Sequence, residues 1–470
     1  VGWLAELALL SVAVVWISRK LSPRFVVLVT AVSFSLRMLV GQGLFAISIL
    51  HLPLLRDLQL RNGLWIFGHD AAIYDEEARN LVAILHGAQA LPPSFPFSWL
   101  VGVDYYIFGA RAAQGIMLGA AAAAACIPLT YWIAHRTGVP PLGQMIAVLL
   151  VGFWPSSFIW SGQLVKDPLE WLALLAIFAG LTLLMTTDGS LAARARPVRG
   201  GAIAIFLGAL VTGWLRGTLV SPVLTLTMVI VGALWLIPAF RVRCRWSPIG
   251  LAALMVIAGS MPSFFVNAKF MKTTVQLSAT AATEIVQQSA GDSAPGQDHV
   301  HEDCPPARIL KQERQAFIGF GGSTLVDADK QFPSCLDFLT YAPRAVELAL
   351  FTPFPRDWFV SEGEVHQMRY FAPLDVILLF LAAPLLLAGM IGSFTRRSRP
   401  SMALAIYCAI LIPLLGIIVP NYGTLFRLRL LAVYPAAILI GSGCCVALSW
   451  FRRATPRRLS FGFDGLLSQQ

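Results

Sequence analysis

Eleven runs of predominantly apolar residues punctuate the chain, at 1–17, 25–50, 110–134, 141–158, 168–186, 200–214, 216–239, 248–266, 371–394, 402–420 and 427–450. A helix of about 20 such residues matches the roughly 30 Å hydrocarbon core of a bilayer. It also satisfies its own backbone hydrogen bonds where no water can. Composition agrees: 57% of the 470 residues are hydrophobic and 13% are charged, where a soluble domain carries roughly twice that charged fraction. The sequence predicts an all-α polytopic membrane protein of about eleven transmembrane helices, with the runs 200–214 and 216–239 the least marked.

Lys and Arg collect in alternate connections: Arg19, Lys20 and Arg24; His135 and Arg136; Arg194, Arg196 and Arg199; Arg241, Arg243 and Arg245; Arg396, Arg397 and Arg399; Arg452, Arg453, Arg457 and Arg458. The positive-inside rule assigns these connections to the cytoplasm. The N-terminus then lies outside, the C-terminus inside, and the two long connections, 51–109 and 267–370, face outward. Run 1–17 has its positive charges after it, the reverse of a cleaved signal, and is read as a helix. A net charge of +10 needs no nucleic acid, because the cytoplasmic excess meets anionic lipid headgroups. The organisation expected is an N-terminal transmembrane module, 1–266, carrying loop 51–109; a small extracytoplasmic unit, 267–370; and C-terminal helices with a tail, 371–470.

Five cysteines lie in or beside apolar runs, whereas Cys304 and Cys335 are the two in the large outward loop. That compartment permits disulfides, and the two are expected to pair. His299, His301, Glu302, Asp303 and Cys304 carry donor atoms, but their spacing fits no strong metal motif, and no metal site is assigned.

The chemistry concentrates in Gly68-His69-Asp70-Ala71-Ala72-Ile73-Tyr74-Asp75-Glu76-Glu77-Ala78. Carboxylates near a bilayer are costly and point to function. Helical spacing predicts a helix from Asp70 to His86, with Asp70 at its N-terminal end, as a cap, as a base, or as both. Glu77 shares the face of Asp70, while Asp75 and Glu76 read as a solvated acidic face. The stretch Leu91 to Trp99, rich in proline and aromatics, suits an interfacial loop. Lys166 and Asp167 precede Pro168 at the head of an apolar run, as a helix cap with a snorkelling lysine or as a second part of the site.

Cations stand on the outward side against the general trend: Arg216, Lys269, Lys272, Arg427 and Arg429. An anionic phosphate would account for them through bidentate contacts, and so would lipid anchoring. The segment Tyr341 to Phe359, with Arg344, reads as a short amphipathic helix in the outer interface, bordering a cavity for a lipid-borne substrate.

The order and sidedness of Asp70-x-x-x-Tyr74-x-x-x-Ala78 and of Lys166-Asp167-Pro168 resemble the type C glycosyltransferase superfamily, membrane enzymes that take a sugar from a polyprenyl-phosphate carrier. The resemblance covers the chain to about residue 186, with weaker similarity in the Tyr341–Phe359 and Asn421–Arg429 segments, and implies Asp70 as catalytic base, with Asp167 as partner. Tyr74, Glu77, Lys166, Arg216, Lys269, Arg344, Arg427 and Arg429 would bind substrate. In that family the first long loop follows the first span, whereas here it follows the second, and no paired-acid Asp-x-Asp motif is present. The implied reaction requires no cofactor, although it leaves room for a divalent cation. Its partners would be a polyprenyl-linked sugar donor, a lipid, glycan or protein acceptor and membrane lipids, at the outer face of a bacterial inner membrane. A transporter or flippase of a lipid-linked solute, or a noncatalytic subunit of a polysaccharide assembly system, is the rival reading. Charge clustering at one membrane edge rather than at mid-span disfavours transport.

Overall fold

The structure, a computed structural model, describes residues 2–68, 70–186, 191–216, 219–236, 250–260, 305–319, 324–332, 334–359 and 371–454. In chain order the helices are α1 (Gly2–Leu21), α2 (Arg24–Ile49), α3 (Asp70–Leu85), α4 (Pro96–Phe108), α5 (Ala112–Arg136), α6 (Pro141–Phe153), α7 (Pro155–Ser161), α8 (Asp167–Thr186), α9 (Leu191–Arg216) and α10 (Val220–Leu236). They continue with α11 (Gly250–Ser260), α12 (Pro305–Gly319), α13 (Cys335–Phe351), α14 (Ala372–Thr395), α15 (Arg399–Ile418), α16 (Tyr422–Leu428) and α17 (Leu430–Ala454). Among the described residues β structure is limited to two isolated bridges, Gln59 with Trp65 and Leu325 with Asn421.

Where the residues are described, the apolar runs coincide with helices, and length and apolarity single out seven as able to cross a membrane: α2, α5, α8, α9 from Arg196, α14, α15 and α17. The pair α6 and α7, bent by 44°, makes an eighth if it counts as one broken span. Large apolar side chains on α2 (Leu28, Leu39) and α14 (Leu374, Leu381, Leu387, Ile391) are left outside the protein interior. Water would penalise such a belt, and lipid does not. The chain is an integral membrane protein.

Helices approach closely where side chains are small. The buried run Gly119–Cys126 makes α5 the centre of the bundle. At the α6–α17 crossing, a Cβ on Gly441 would sit 2.1 Å from the Gly143 carbonyl oxygen, so only glycine permits this approach.

The α6–α7 break has a local cause. Pro155 forces Trp154 into extended backbone (φ −63°, ψ 123°), which strips partners from the carbonyls at the end of α6. Arg37 of α2, wholly buried, supplies them: its guanidinium donates to the Val151 and Gly152 carbonyls at 3.3 Å, and it reaches on into α7 at the Ser157 carbonyl at 2.8 Å. It also donates to the Ser157 and Ser161 hydroxyls at 2.9 and 2.8 Å. From the other side Asp375 of α14 accepts the Ser156 N–H at 2.9 Å and the Trp154 indole N–H at 2.8 Å. The short helix α7 is thereby fixed between α2 and α14.

The connection 51–109 is a folded unit on one end of the bundle. Tyr74 and Ala78 of α3 pack with Phe97, Val101 and Tyr105 of α4. The proline-rich stretch does not run on as a loop: Pro96 occupies the first turn of α4, where its missing N–H costs nothing. In the second long connection α13 begins at Cys335, six residues before the expected segment, with Asp337 accepting from the Ser334 backbone and hydroxyl. Cys304, with the proposed disulfide, and the His299–Asp303 donors lie outside the described residues, as do Lys269 and Lys272.

Candidate active site

Four separated stretches of chain bring their charges to one place. Asp70 opens α3 and Asp167 opens α8, so each carboxylate sits at the positive end of a helix dipole. Glu170 follows one turn into α8, Arg216 ends α9, and Arg427 lies in the last turn of α16. The last run was expected to be continuous from 427; instead α16 ends at Leu428 and α17 begins at Leu430. Arg427 therefore projects from its own short helix.

Arg427 is the bridge. Its Nη1 donates to Asp70 Oδ2 at 2.9 Å, and its Nε donates to Asp167 Oδ2 at 2.7 Å, with Nη2 2.6 Å from the same oxygen. Arg216 Nη2 reaches the other oxygen of Asp167 at 3.3 Å. Arg216 Nε lies 3.2 Å from Glu170 Oε1 as an ion pair without hydrogen-bond alignment, and neither Glu170 oxygen has a hydrogen-bond partner among the described residues. Depth separates the acids: the side chain of Asp70 is 45% exposed, that of Asp167 1% and that of Glu170 0%. The cluster opens at Asp70 and closes at Glu170.

The short helix is held from three sides. Asn421 caps α16 by accepting the Gly423 and Thr424 N–H groups at 2.9 and 3.3 Å. The segment after α12 pairs across its start, through Val326 N–H to the Pro420 carbonyl at 2.7 Å and Tyr422 N–H to the Thr324 carbonyl at 3.1 Å. Trp160 of α7 places its ring 5.7 Å from the Arg427 guanidinium and meets Phe426 edge-on. The clamps on α7 described above thus bear on the site. Burial lowers the guanidinium pKa of Arg427, but the carboxylates of Asp167 and Asp70 outweigh it and hold the group firmly protonated.

The other expected site residues fall in different places. Tyr74 is buried, its ring edge-on to Phe95 and Phe97, and burial followed by the charge of Asp70 pushes its phenol pKa up. Glu77 does not share the face of Asp70 at the site. Its carboxylate accepts from the Ser94 backbone and hydroxyl and from the Phe95 N–H at 3.1 Å, pinning the proline-rich turn. Lys166 donates to the Leu215 carbonyl at 2.7 Å, tying α8 to α9, and burial followed by the charge of Arg216 pushes its pKa down to about 8.

Arg344 binds Asp327 at 3.1 Å and Glu347 at 2.9 Å. Arg429, two residues from the bridge, turns away to the Leu350 carbonyl at 3.1 Å and the Thr352 carbonyl. The solvated acidic face fails at Asp75, which is buried and accepts from Tyr105, Asn62 and Arg79. Glu170 is the residue that sequence reasoning missed. Its signal was present: it follows Asp167 by three residues on the same helix face.

Among the described residues no group of three or more His, Cys, Asp or Glu side chains is placed to hold a metal ion. At the cluster, guanidinium groups occupy the space between the carboxylates.

No known family model and no curated protein sequence matches the chain. Among solved structures it is similar to the apo crystal structure of the Archaeoglobus fulgidus oligosaccharyltransferase, at 14% identity and TM-score 0.50, over 90% of this chain and 51% of that one. It is also similar to the archaeal oligosaccharyltransferase AglB from Archaeoglobus fulgidus in complex with an inhibitory peptide and a dolichol-phosphate, at 15% identity and TM-score 0.46, over 92% and 53%. The chain spans about half the length of these proteins. At this identity the likeness is one of fold alone.

Proposed function

We propose that the chain is a glycosyltransferase that moves a sugar from a polyprenyl-phosphate carrier to an acceptor on a lipid, a polysaccharide or a protein, at the extracytoplasmic membrane face. The observation that carries this reading is Arg427 spanning from the half-exposed Asp70 to the buried Asp167. It puts a base, a cation and a water-poor interior within one side chain's reach. In the proposed reaction the donor phosphate takes Nη1 of Arg427 from Asp70, and Asp70 then removes the proton of the acceptor nucleophile. Arg427 and Arg216 stabilise the phosphate as the glycosidic bond breaks. Asp167 holds both guanidiniums in place. A single displacement with inversion follows by analogy with the fold.

The test is sugar transfer from radiolabelled polyprenyl-phosphate donors by purified protein in detergent, with wild type beside Asp70→Asn. Transfer by wild type alone supports the reading. Equal transfer by both removes Asp70 from the mechanism, and silence from both across a broad donor and acceptor panel returns the chain to transport or scaffolding.

A further inference from the structure

Glu170 sits where a charge is hardest to keep. Its side chain is fully buried, and among the described residues its only charged contact is the unaligned Nε of Arg216. The groups around it are Asp167 and Lys166 at the head of its own helix, Arg216 from α9, Arg427 from α16, and Tyr407 of α15, a wholly buried phenol within its electrostatic reach. Tyr407 has no hydrogen-bond partner for its hydroxyl among the described residues. With every group ionised, Asp70, Asp167 and Glu170 balance Lys166, Arg216 and Arg427. A phosphodiester entering at the Asp70 side adds a negative charge to this balanced set and draws on the guanidinium groups.

Asp167 keeps the Nε and Nη2 of Arg427 when Nη1 turns to the ligand, but among the described residues Glu170 has only Arg216. A buried carboxylate stripped of its one cation is strongly unfavourable, and taking up a proton removes the charge. On the reading of the cluster as a phosphate site, we propose that Glu170 binds a proton as an anionic donor settles on Arg216, making it the proton-coupled counter-charge of the site. Glu170 is a positioning residue that reaches the ligand through Arg216. The stoichiometry is one carboxylate and one solvent proton giving one carboxylic acid, with no other bond made or broken.

The test is isothermal calorimetry on the full chain in detergent, in buffers of different ionisation heat. The probes are geranylgeranyl methyl phosphate and dimethyl phosphate, diesters whose own charge does not change over the range studied. Wild type is expected to take up approaching one proton per diester bound, and its affinity to fall by up to about tenfold per pH unit as pH rises through the titration of Glu170. Glu170→Gln, an uncharged stand-in for the acid, is expected to bind without proton uptake and with a flat pH profile. Uptake with the lipid diester alone assigns the effect to a lipid headgroup, and uptake with both assigns it to any phosphodiester. A difference infrared spectrum of wild type, which needs no variant, should show a new carboxylic-acid band on binding. Binding without uptake and without that band overturns the proposal while leaving the phosphate site standing. Uptake that persists in Glu170→Gln overturns it as well. Failure of both diesters to bind overturns the phosphate-site reading itself.

Discussion

Asp70 and Asp75 lie five residues apart on one helix and live in opposite surroundings. Asp75 is closed in: Arg79 donates through Nε at 2.9 Å, Tyr105 at 2.6 Å and Asn62 at 3.3 Å, all from the same connection. Asp70 stands half in the open, and Arg427, its partner, comes from 357 residues away. The first carboxylate fastens α3 to α4 and completes a local unit. The second joins that unit to the transmembrane bundle through a contact that a ligand can reach. Saturation with local donors marks a fastener, and partial exposure to one distant cation is what the proposed site requires of Asp70.

The contrast breaks most sharply in Asp70→Asn. Loss of a general base lowers the transfer rate by about 10²- to 10⁴-fold, while a half-exposed side chain that keeps its shape leaves thermal stability in detergent close to wild type. A variant that unfolds early would make Asp70 a fastener too. Next in size is Arg427→Gln, which leaves Asp167 buried without its main cation and should cost about 3–5 kcal/mol as well as transfer. Adding Asp167→Asn should recover part of the thermal midpoint and none of the transfer, which separates charge balance from chemistry.

Asp75→Asn is expected to do the reverse of Asp70→Asn. Its buried donors lose a charged acceptor, for a loss of about 1–3 kcal/mol read from the denaturation midpoint, while transfer per folded molecule stays within a few-fold of wild type. If transfer collapsed with stability intact, the distinction between the two acids would be lost.

The helix that carries both acids was legible in the sequence, from Asp70 at its head to its apolar spacing, because helix signals are local. The fate of Asp75 was not, since Tyr105 and Asn62 are recruited by the packing of α3 on α4 rather than by periodicity. Arg427 was legible as a cation on an unexpected side, whereas its pairing with Asp70 and Asp167 depends on the chain's three-dimensional closure. Arg429, two residues on, gave the same sequence signal and turned out to satisfy the carbonyls of Leu350 and Thr352. Arg37 and Asp375 stood as lone charges in apolar runs, a readable sign of a buried role. What they hold, the break at Pro155, appears only when α2, α7 and α14 meet.

The smallest expected effect concerns Lys166, which resembles Asp75 in being a fastener but carries its charge at a cost. Burial pushes its pKa down from the ordinary 10.5 to about 8. Between those values the unfolded chain binds the proton and the folded chain releases it, so stability rises with pH across that window. Below about pH 8 both states are charged, and the full burial cost weighs on the fold. The slope from one such group is at most about 1.4 kcal/mol per pH unit. Lys166→Met removes the titrating group while keeping the stem, so the wild-type gain in stability from pH 8 to 9.5 should flatten by roughly 1.5 kcal/mol. The variant should also lose the bond to Leu215 that ties α8 to α9. An unchanged pH slope would show that the lysine reaches water, and the charged cluster would then be open at its inner as well as its outer end.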